Sequence, residues 1–461
     1  MITNKHMNIF PVLLWILLSC SKTNSPGTTN PPVDPPPADP QYGTPFNAVP
    51  DPADAAIYQV NTRAFSASGD FRGVQARLDS IRALGINVLY LMPVYPVGTV
   101  KSVNSPYCIR DYNSVAAEFG TLTDLRNLVD AAHTKGMAVI LDWVANHTAW
   151  DHPWTSKKTW YKQDVNGNLV PPAGTGWNDV VALNFLNQDM RKEMISSMKK
   201  WVFEANIDGF RFDAADFVPA DFWKQALDSL KKISTHKLLL FAEGTRADHF
   251  ISGFQLKYGM GFYYTMKERV YATSGSVKAI DSVNNAEYQN STSANRVVRY
   301  ISNHDVNLSD GTVSEVYSSN AGALSAFVVS GCLQSVPMIY AGQEIGYPVR
   351  LNYFNNSTPI SWTPNPALTE SYKKIIGFRN SSNALKNGTL QSFSDDDVSV
   401  FTKTAASEKV LVIASLRNTA KTYSVPESLR GEWKNTADGT SITTGASVTL
   451  DPFQYYILLK N

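Results

Sequence analysis

Three acidic residues, Asp213, Glu243 and Asp305, each follow a short hydrophobic run. Along the chain these runs read Gly-Phe-Arg-Phe, Leu-Leu-Leu-Phe-Ala and Val-Val-Arg-Tyr-Ile-Ser-Asn-His. Such runs are typical of buried strands, and the carboxyl ends of parallel strands meet at one end of a closed barrel. Glycoside cleavage with retention of configuration uses one carboxylate as nucleophile and a second carboxylic acid as proton donor. The pattern therefore predicts a glycoside-cleaving site built from three strands.

Two of these acids have neighbours that predict different protonation states. Arg211 precedes Asp213 by two residues, so both side chains point to the same face of a strand. A guanidinium there favours the ionised carboxylate that a nucleophile needs. Glu243 follows the apolar run that ends in Phe241 and Ala242. Loss of water there favours the protonated acid that a proton donor needs.

The third acid, Asp305, follows Asn303 and His304 in a polar segment, which suits it to binding sugar hydroxyl groups. A single acid of this kind is more often a surface or helix-capping residue. Three acids at the ends of three predicted strands favour catalysis over that simpler interpretation.

The elements that must position these acids alternate between strand and helix from Ile57 to Tyr340, which indicates βα units around a parallel sheet. Eight strands are predicted, the sixth of them weakly, and eight parallel strands close into a barrel. The predicted strands are 57–61, 87–92, 137–142, 209–213, 238–243, 261–265, 297–302 and 336–340. Helices with apolar spacing of three and four residues are predicted at 71–84, 122–135, 190–203 and 220–233.

Three segments of the folded part follow from this pattern. The predicted fold is α/β, a (β/α)8 TIM barrel over residues 51–384. Residues 147–187, rich in Trp, Pro, Gly and Asn, form an inserted domain after the third strand, and an insertion there overhangs the active face. From residue 385 to 461 strands follow one another without helices, which predicts a C-terminal all-β sandwich domain.

Composition excludes several partners. The chain has 461 residues with 41 basic and 40 acidic side chains, a net charge of +1. This balance provides no general attraction to nucleic acid or to anionic lipid. A neutral substrate is consistent with this balance of charges.

The N-terminus has the composition of a targeting segment. Lys5 and His6 precede the apolar run 9–18, which is short for a membrane span and typical of a signal peptide. The run ends in Leu-Leu-Ser-Cys, which resembles a bacterial lipobox whose cysteine, Cys20, receives lipid. We expect a signal peptide at 1–20 and export to a bacterial cell envelope, with Cys20 as membrane anchor. An ordinary signal peptide is the alternative.

Residues 21–50 are rich in Pro, Thr, Asn and Asp and contain the run Pro-Pro-Val-Asp-Pro-Pro-Pro-Ala-Asp-Pro. Such a segment lacks core-forming residues and predicts an extended linker. A linker behind a lipid anchor would hold a catalytic domain away from the membrane, and a glucan uptake system is a further expected partner there.

The two remaining cysteines, Cys108 and Cys332, are far apart in the sequence and lack zinc-ligand spacing. We expect two free, buried thiols, with a disulfide between them as the alternative.

Four sequence motifs together resemble the α-amylase family, glycoside hydrolase family 13. Asp-Trp-Val-Ala-Asn-His at 142–147 is similar to its first signature and Gly-Phe-Arg-Phe-Asp-Ala-Ala-Asp at 209–216 to its second. Phe-Ala-Glu-Gly at 241–244 is similar to the third, and Ser-Asn-His-Asp at 302–305 to the fourth. The segment 336–346 resembles the eighth strand and its loop, and the likeness extends from about residue 54 to the end of the chain.

This resemblance implies a role for each motif residue. Asp213 would be the nucleophile, Glu243 the acid/base and Asp305 the transition-state stabiliser. The residues implied to hold the sugar that loses its bond are Arg211, His147 and His304. A further segment, Ser-Pro-Tyr-Cys-Ile-Arg-Asp-Tyr at 105–112, is similar to the family's loop after the second strand and implies that Tyr107 is a platform under that sugar. Asp142 is interpreted as a member of the supporting polar network.

The sequence departs from the family pattern at two places. Asn146 matches a position that ligates calcium in many members through its side-chain oxygen, a preference of hard cations. Ala182 stands where many calcium-binding members have Asp, so we expect no required cofactor and no tight calcium site. Asp216 and Phe217 stand where many endo-acting members have Lys-His, on the leaving-group side.

The interpretation is a retaining hydrolase of α-1,4-glucosidic bonds in starch, glycogen fragments or maltooligosaccharides. Several activities of the same family remain open: cyclomaltodextrinase or neopullulanase, α-glucosidase, and glucanotransferase. A different class also remains open, a non-catalytic glucan-binding lipoprotein. The three acids argue against that class, since binding alone does not need them.

Overall fold

The structure is a computed structural model that describes residues 40–354 and 358–460. The predicted signal peptide 1–20, its Cys20 and the linker as far as residue 39 lie outside the described residues. Within the described part of the chain, no helix combines the length and the apolar composition that crossing a membrane requires.

Eight parallel strands form a closed barrel, which confirms the predicted fold. Around the barrel the order is β1-β2-β3-β6-β7-β8-β9-β10, and β4 and β5 pair with each other outside it. The strands are β1 Ile57–Val60, β2 Val88–Leu91, β3 Ala138–Val144, β4 His147–Ala149, β5 Val180–Ala182, β6 Gly209–Asp213, β7 Leu239–Ala242, β8 Leu256–Tyr258, β9 Arg296–Arg299 and β10 Val336–Tyr340.

The barrel encloses a core of its own. Large side chains from several strands pack in one cluster inside it, among them Tyr90, Ile140, Phe241, Tyr258 and Tyr300. A second, larger core lies between the barrel wall and the surrounding helices. A filled interior of this kind gives the active face a rigid floor.

The prediction of a sixth strand at 261–265 is wrong. The sixth barrel strand is β8, whereas residues 260–264 form a helix that buries the adjacent side chains Phe262 and Tyr263. Sequence reasoning missed β8 because it has three residues and a lysine at its centre. Lys257 is buried, and its ammonium lies 4.9 Å from the centre of the Phe250 ring.

Helices surround the barrel, and three of the four predicted helices are confirmed as single helices. The other, 71–84, is divided into α2 and α3. The helices are α1 Thr62–Phe65, α2 Phe71–Gln75, α3 Leu78–Ala83, α4 Leu122–Thr134, α5 Gln188–Ala205, α6 Ala220–Lys231, α7 His249–Ser252, α8 Met260–Tyr264, α9 Ala279–Glu287, α10 His304–Ser309, α11 Val313–Val316, α12 Asn320–Cys332, α13 Pro366–Ser381 and α14 Asn383–Asn387.

The insertion between β3 and α5 is small and is held by aromatic packing. Strands β4 and β5 form an antiparallel pair, and the buried rings of Trp154 and Trp160 lie 5.3 Å apart. Trp154 also lies 5.2 Å from Tyr112 of the barrel loop. Trp177 of the same insertion is less buried, with 37% of its surface exposed.

The C-terminal part is all β, as predicted. A six-stranded antiparallel sheet of order β11-β12-β13-β18-β15-β16 and the pair β14-β17 enclose one apolar core. The strands are β11 Thr389–Ser392, β12 Val398–Ala405, β13 Glu408–Ser415, β14 Lys421–Ser424, β15 Gly431–Asn435, β16 Ser441–Thr444, β17 Ser447–Leu450 and β18 Tyr455–Lys460.

Both thiols are buried and free, which confirms that prediction and excludes the disulfide. Burial raises the pKa of Cys108 and of Cys332 to about 12, so neither thiol is ionised near neutral pH.

Candidate active site

The register of three neighbouring barrel strands places the acidic residues at one end of the barrel. Asp142 of β3 lies beside Arg211 of β6, and Val144 lies beside Asp213. The backbone N–H of Glu243 then donates to the carbonyl of Phe212 at 2.9 Å, so Glu243 directly follows the β6–β7 ladder. The strand ends therefore deliver Asp142, Asp213 and Glu243 to the same rim.

Arg211 joins the three carboxylates. Its guanidinium is fully buried, and its Nη1 donates to Asp142 Oδ1 at 2.6 Å and to Asp213 Oδ1 at 3.0 Å. Its Nη2 pairs with Oε1 of Glu243. The side chains of Asp213 and Glu243 are 12% and 11% exposed, so both face the cleft from a largely buried position. One planar guanidinium thus holds the predicted nucleophile and the predicted acid side by side.

The environments of these two acids differ from the prediction. Burial raises the pKa of Asp213 well above its usual range, the charge of Glu243 adds to this effect, and Arg211 opposes it. Glu243 does not lie among apolar groups, because its Oε2 accepts from the N–H of Ala214 at 2.8 Å and its Oε1 meets Arg211. The prediction failed because the apolar run ends one residue before Glu243, and because Arg211 contacts both Asp213 at the end of β6 and Glu243 after β7.

Asp142 is a fully buried member of the supporting network. Besides Arg211, its Oδ2 accepts from the hydroxyls of Tyr90 at 2.6 Å and Tyr107 at 3.0 Å. Asp142 therefore lies below the cleft surface and fixes Arg211 and Tyr107 rather than facing a ligand.

His304 and Tyr107 form the neighbouring wall. The rings are stacked with centroids 5.3 Å apart, and His304 Nε2 lies 2.6 Å from the Tyr107 hydroxyl. The amide nitrogen of Gln59 lies 2.7 Å from His304 Nδ1 and can only donate, which assigns the proton to Nε2. Burial, together with Arg211, lowers the pKa of His304 to about 3, so the ring is neutral.

Asp305 lies at the start of α10, where Asn303 caps the helix by accepting from the N–H groups of Asp305 and Val306. Its Oδ1 accepts from the Tyr353 hydroxyl at 2.9 Å, and its side chain is 45% exposed to the cleft. Tyr353 was not found from the sequence, since it lies in a segment without strand or helix periodicity. Gln59 and Tyr90 were missed because they read only as strand residues.

His147 completes the wall formed by the insertion. Its Nε2 lies 3.2 Å from the carbonyl of Tyr107, and its Nδ1 lies 3.2 Å from the amide nitrogen of Asn146. Burial lowers the pKa of His147 to about 4, so this ring is also neutral. Its edge faces the Trp177 ring at 5.5 Å.

Asn146 is the residue at which the family resemblance raised the question of calcium binding. The Asn146 side chain contacts His147, and Ala182, which pairs with His147 across β4 and β5, supplies no carboxylate. In residues 40–354 and 358–460, no three side chains of His, Cys, Asp or Glu come together as a metal-ligating group.

These side chains surround a cleft of about 800 Å³. Of the predicted site residues, Asp213, Glu243, Asp305, Tyr107, His147 and His304 line it. Arg211 and Asp142 lie beneath them and do not line it. The volume is in the range of sites that bind small organic ligands.

Comparison with known proteins points to one family. A family model described as the alpha-amylase catalytic domain matches residues 38–168 and 175–361. "Alpha-amylase 3" of Dictyoglomus thermophilum is 25% identical over 451 residues, covering 82% of this chain and 87% of its own. An alpha-glucosidase of Apis mellifera is 31% identical over 207 residues, or 36% of each chain. The crystal structure of a noncanonic maltogenic alpha-amylase from Thermotoga neapolitana has a TM-score of 0.78 at 23% identity, covering 89% of this chain and 99% of that one.

Proposed function

We propose, from the premise that this chain belongs to the α-amylase family of glycoside hydrolases, that it cleaves α-1,4-glucosidic bonds with retention of configuration. The substrates would be starch, glycogen fragments or maltooligosaccharides. The observation that carries the proposal is the shared Arg211, which holds Asp213 and Glu243 beside each other at adjacent strand ends. Two adjacent carboxyl groups are the requirement of a retaining mechanism.

The reaction would proceed in two steps. Asp213 attacks the anomeric carbon, the bond to the leaving oxygen breaks, and Glu243 gives its proton to that oxygen. Water then attacks the glycosyl-Asp213 ester, Glu243 takes the proton of the water, and the carboxylate of Asp213 is released. The same two residues thereby return to their starting protonation states.

The pair must hold one proton before the first step. Burial raises the pKa of Asp213, so the two carboxyl groups together retain a proton above the usual carboxylate range. For the reaction that proton has to reside on Glu243, and a glycosidic oxygen placed against Glu243 would favour this arrangement. Asp305, whose side chain faces the cleft, would stabilise the positive charge that develops on the sugar.

Three neutral groups would position the sugar. His304 is held by Gln59 and Tyr107, and His147 is held against the Tyr107 backbone. Neutral rings bind hydroxyl groups without adding positive charge beside the developing cation. Tyr107, fixed by its hydrogen bonds to Asp142 and His304, would support the apolar face of the sugar.

Release of reducing sugar from soluble starch tests the proposal. Product analysis on maltoheptaose, amylose, pullulan and β-cyclodextrin then assigns the preference among amylase, cyclomaltodextrinase or neopullulanase, α-glucosidase and glucanotransferase. The anomeric configuration of the first product, followed by NMR, tests retention. Glucan binding without any reducing-sugar release would instead favour the non-catalytic lipoprotein.

We also propose that the protein is exported and held in a bacterial cell envelope through lipid on Cys20, with residues 21–50 as a linker. The hydrophobic run before Cys20 and the proline-rich composition after it support this proposal. In that place the hydrolase would supply short glucans to an uptake system. We also propose that the protein has no nucleic-acid partner and does not require calcium.

A further inference from the structure

The turn after β6 is bound to the loop after β7 through one carboxylate. Asp216 lies in the short 3-10 turn that follows β6. Its Oδ2 accepts from the backbone N–H of Thr245 at 2.8 Å and from the Thr245 hydroxyl at 2.9 Å, and its Oδ1 accepts from the backbone N–H of Arg246 at 3.1 Å. Oδ1 also lies 2.6 Å from Nε2 of the buried His249. Asp216 therefore holds the segment that directly follows Glu243.

These hydrogen bonds keep Asp216 ionised. Burial by itself would raise the pKa of Asp216, but the hydrogen bonds from His249, Thr245 and Arg246 outweigh burial and hold the pKa below the usual range of a carboxyl group. Because an ionised carboxylate can only accept, Nε2 of His249 carries the proton of their contact. Asp216 is therefore a fixed acceptor of hydrogen bonds near neutral pH.

The same turn contacts the proposed acid directly. The backbone N–H of Ala215 donates to the carbonyl of Glu243 at 2.9 Å, and the N–H of Ala214 donates to Oε2 of Glu243 at 2.8 Å. Ala214 has a φ of 46°, in the left-handed region that residues other than glycine rarely adopt. Such a conformation persists only where the surrounding contacts hold it. The hydrogen bonds of Asp216, two residues further along, are contacts of this kind.

The orientation of the acid depends on both of its oxygens. Oε1 of Glu243 pairs with Arg211, and Oε2 accepts from Ala214. Arg211 is buried and is also held by Asp142 and Asp213, so its position is fixed by the barrel. The N–H of Ala214 belongs to a turn, so its position is set by whatever holds that turn. A displaced turn would remove this donor and let the carboxyl group of Glu243 rotate.

We infer that Asp216 is a positioning residue for the proposed proton donor: its carboxylate holds the turn after β6 against the loop after β7 and, through Ala214, sets the orientation of Glu243. This inference rests on the proposed function and deepens it. A lysine, which many family members have at position 216, could not accept these hydrogen bonds. Asp216 should therefore matter most for substrates whose departing group needs a proton.

Two substrates with leaving groups of equal size test this role. The p-nitrophenyl and p-methoxyphenyl α-glycosides of one maltooligosaccharide present the same ring to the cleft, but p-methoxyphenolate is more basic and needs the proton of the acid more. The chain length is the one from which wild type releases p-nitrophenol fastest. In Asp216→Asn the amide nitrogen cannot accept from the N–H groups of Thr245 and Arg246. We expect kcat/KM to fall by about tenfold or more for the p-methoxyphenyl substrate and by no more than about threefold for the p-nitrophenyl substrate.

The measured quantity is the ratio of kcat/KM for the p-methoxyphenyl substrate to that for the p-nitrophenyl substrate. This ratio does not depend on how much of a sample is folded. Asp228→Asn, which alters an exposed acid on α6, should leave both values unchanged. Thr245→Val removes one hydrogen bond to Asp216 at an exposed residue and should lower the ratio by about two- to threefold. This second variant keeps the test valid if Asp216→Asn does not fold.

The outcomes separate this inference from the proposed function. Equal losses on both substrates in Asp216→Asn would mean that Asp216 supports the fold or contacts the departing ring, and they would overturn the positioning role. An unchanged ratio in Thr245→Val would overturn it where Asp216→Asn does not fold. A wild-type protein that releases neither the two phenols nor reducing sugar from starch would overturn the proposed function, and the role of Asp216 would fall with it.

Discussion

At the scale of single residues, Arg211 organises the site because it is the one fixed positive charge among three carboxylates. It contacts Asp142 from below and Asp213 and Glu243 at the rim. A buried guanidinium cannot lose its proton, so it constrains how many of its neighbours are ionised together. The protonation of the pair Asp213 and Glu243 is therefore a property of the three residues jointly.

Removal of either reacting carboxyl should abolish hydrolysis. Asp213→Asn and Glu243→Gln are close in shape to the native side chains, but the first cannot attack and the second cannot donate the required proton. Each should lower kcat on maltoheptaose by at least ~10²-fold. Circular dichroism should show an intact fold, and Asp228→Asn, an exposed acid on α6, is the matched control. Retention of more than about a tenth of the wild-type rate would refute the role concerned.

The raised pKa of Asp213 also predicts how stability depends on pH. Because the folded state binds this proton more tightly than the unfolded chain, the ionised carboxylate lowers stability as pH rises from ~3.9 to the raised folded pKa. Asp213→Asn removes this loss. The melting temperature of the variant minus that of wild type should therefore increase from pH 4 to pH 8, as measured by calorimetry. A difference that stays constant with pH would contradict the raised pKa.

At the scale of elements, the loop after β7 has room for a glycine only. A Cβ added to Gly244 would lie 2.4 Å from Asp216 Oδ1 and 2.4 Å from His249 Nε2, both of which are fixed by hydrogen bonds. Gly244→Ala should therefore displace the segment that carries Glu243. We expect at least a tenfold loss of kcat on maltoheptaose and a stability loss of about 1–3 kcal/mol.

Gly377→Ala provides the control for that substitution. Gly377 lies inside α13 with no atom within 4 Å of an added Cβ, so alanine there should raise stability by about 0.5–1 kcal/mol and leave activity unchanged. Wild-type activity in Gly244→Ala would show that the contact between Asp216 and His249 does not position Glu243.

The insertion provides a second prediction for an element. Aromatic packing of Trp154 and Trp160 holds it, and Ala182 offers no carboxylate beside Asn146. A metal bound only to the native state would add roughly 2.7 kcal/mol at a hundredfold excess over its Kd. We expect EDTA to leave the melting temperature and the activity nearly unchanged.

One result would contradict the prediction that the protein has no tight calcium site. A fall of several degrees with EDTA that calcium reverses would mean that other groups, such as the half-buried Asp179 or backbone carbonyls, complete a site. Magnesium, added in place of calcium after chelation, separates a specific site from a general effect of divalent ions.

Strands and helices were predicted correctly from the sequence where the run of apolar residues was long enough to show a strand or helix periodicity. The acids at the ends of β6 and β7 were found because each closes such a run. Strand β8 was missed because three residues with a central Lys257 have no readable period, and the aromatic run at 261–265 imitated a strand. Tyr353 was missed because it lies in a segment without periodicity and its partner, Asp305, is far away in the sequence.

The charged environment of the site was the harder part to predict. The sequence shows that Arg211 and Asp213 share a strand face, but not that the same guanidinium also reaches Glu243 on the next strand. Strand neighbours and register decide that contact, and both are properties of the closed barrel rather than of either strand.

At the scale of the whole molecule, the cleft and the proposed anchor are separate features of the chain. The cleft is lined by residues of the barrel and of the insertion, the first being Lys101 and the last Phe354. Cys20 precedes a linker whose composition favours an extended chain without a core. Lipid on Cys20 should therefore decide where the hydrolase is located without changing what it does.

Cys20→Ala tests that separation in the native host. Without the thiol no lipid can be attached, so the variant should partition into the aqueous phase of a detergent extraction while wild type partitions with membranes. Hydrolysis of starch by the two purified proteins should be equal, because a flexible linker transmits no strain to the barrel. Ser21→Ala, the next residue along, is the matched control and should remain with membranes. Wild-type protein found in the aqueous phase would leave an ordinary signal peptide as the function of this segment.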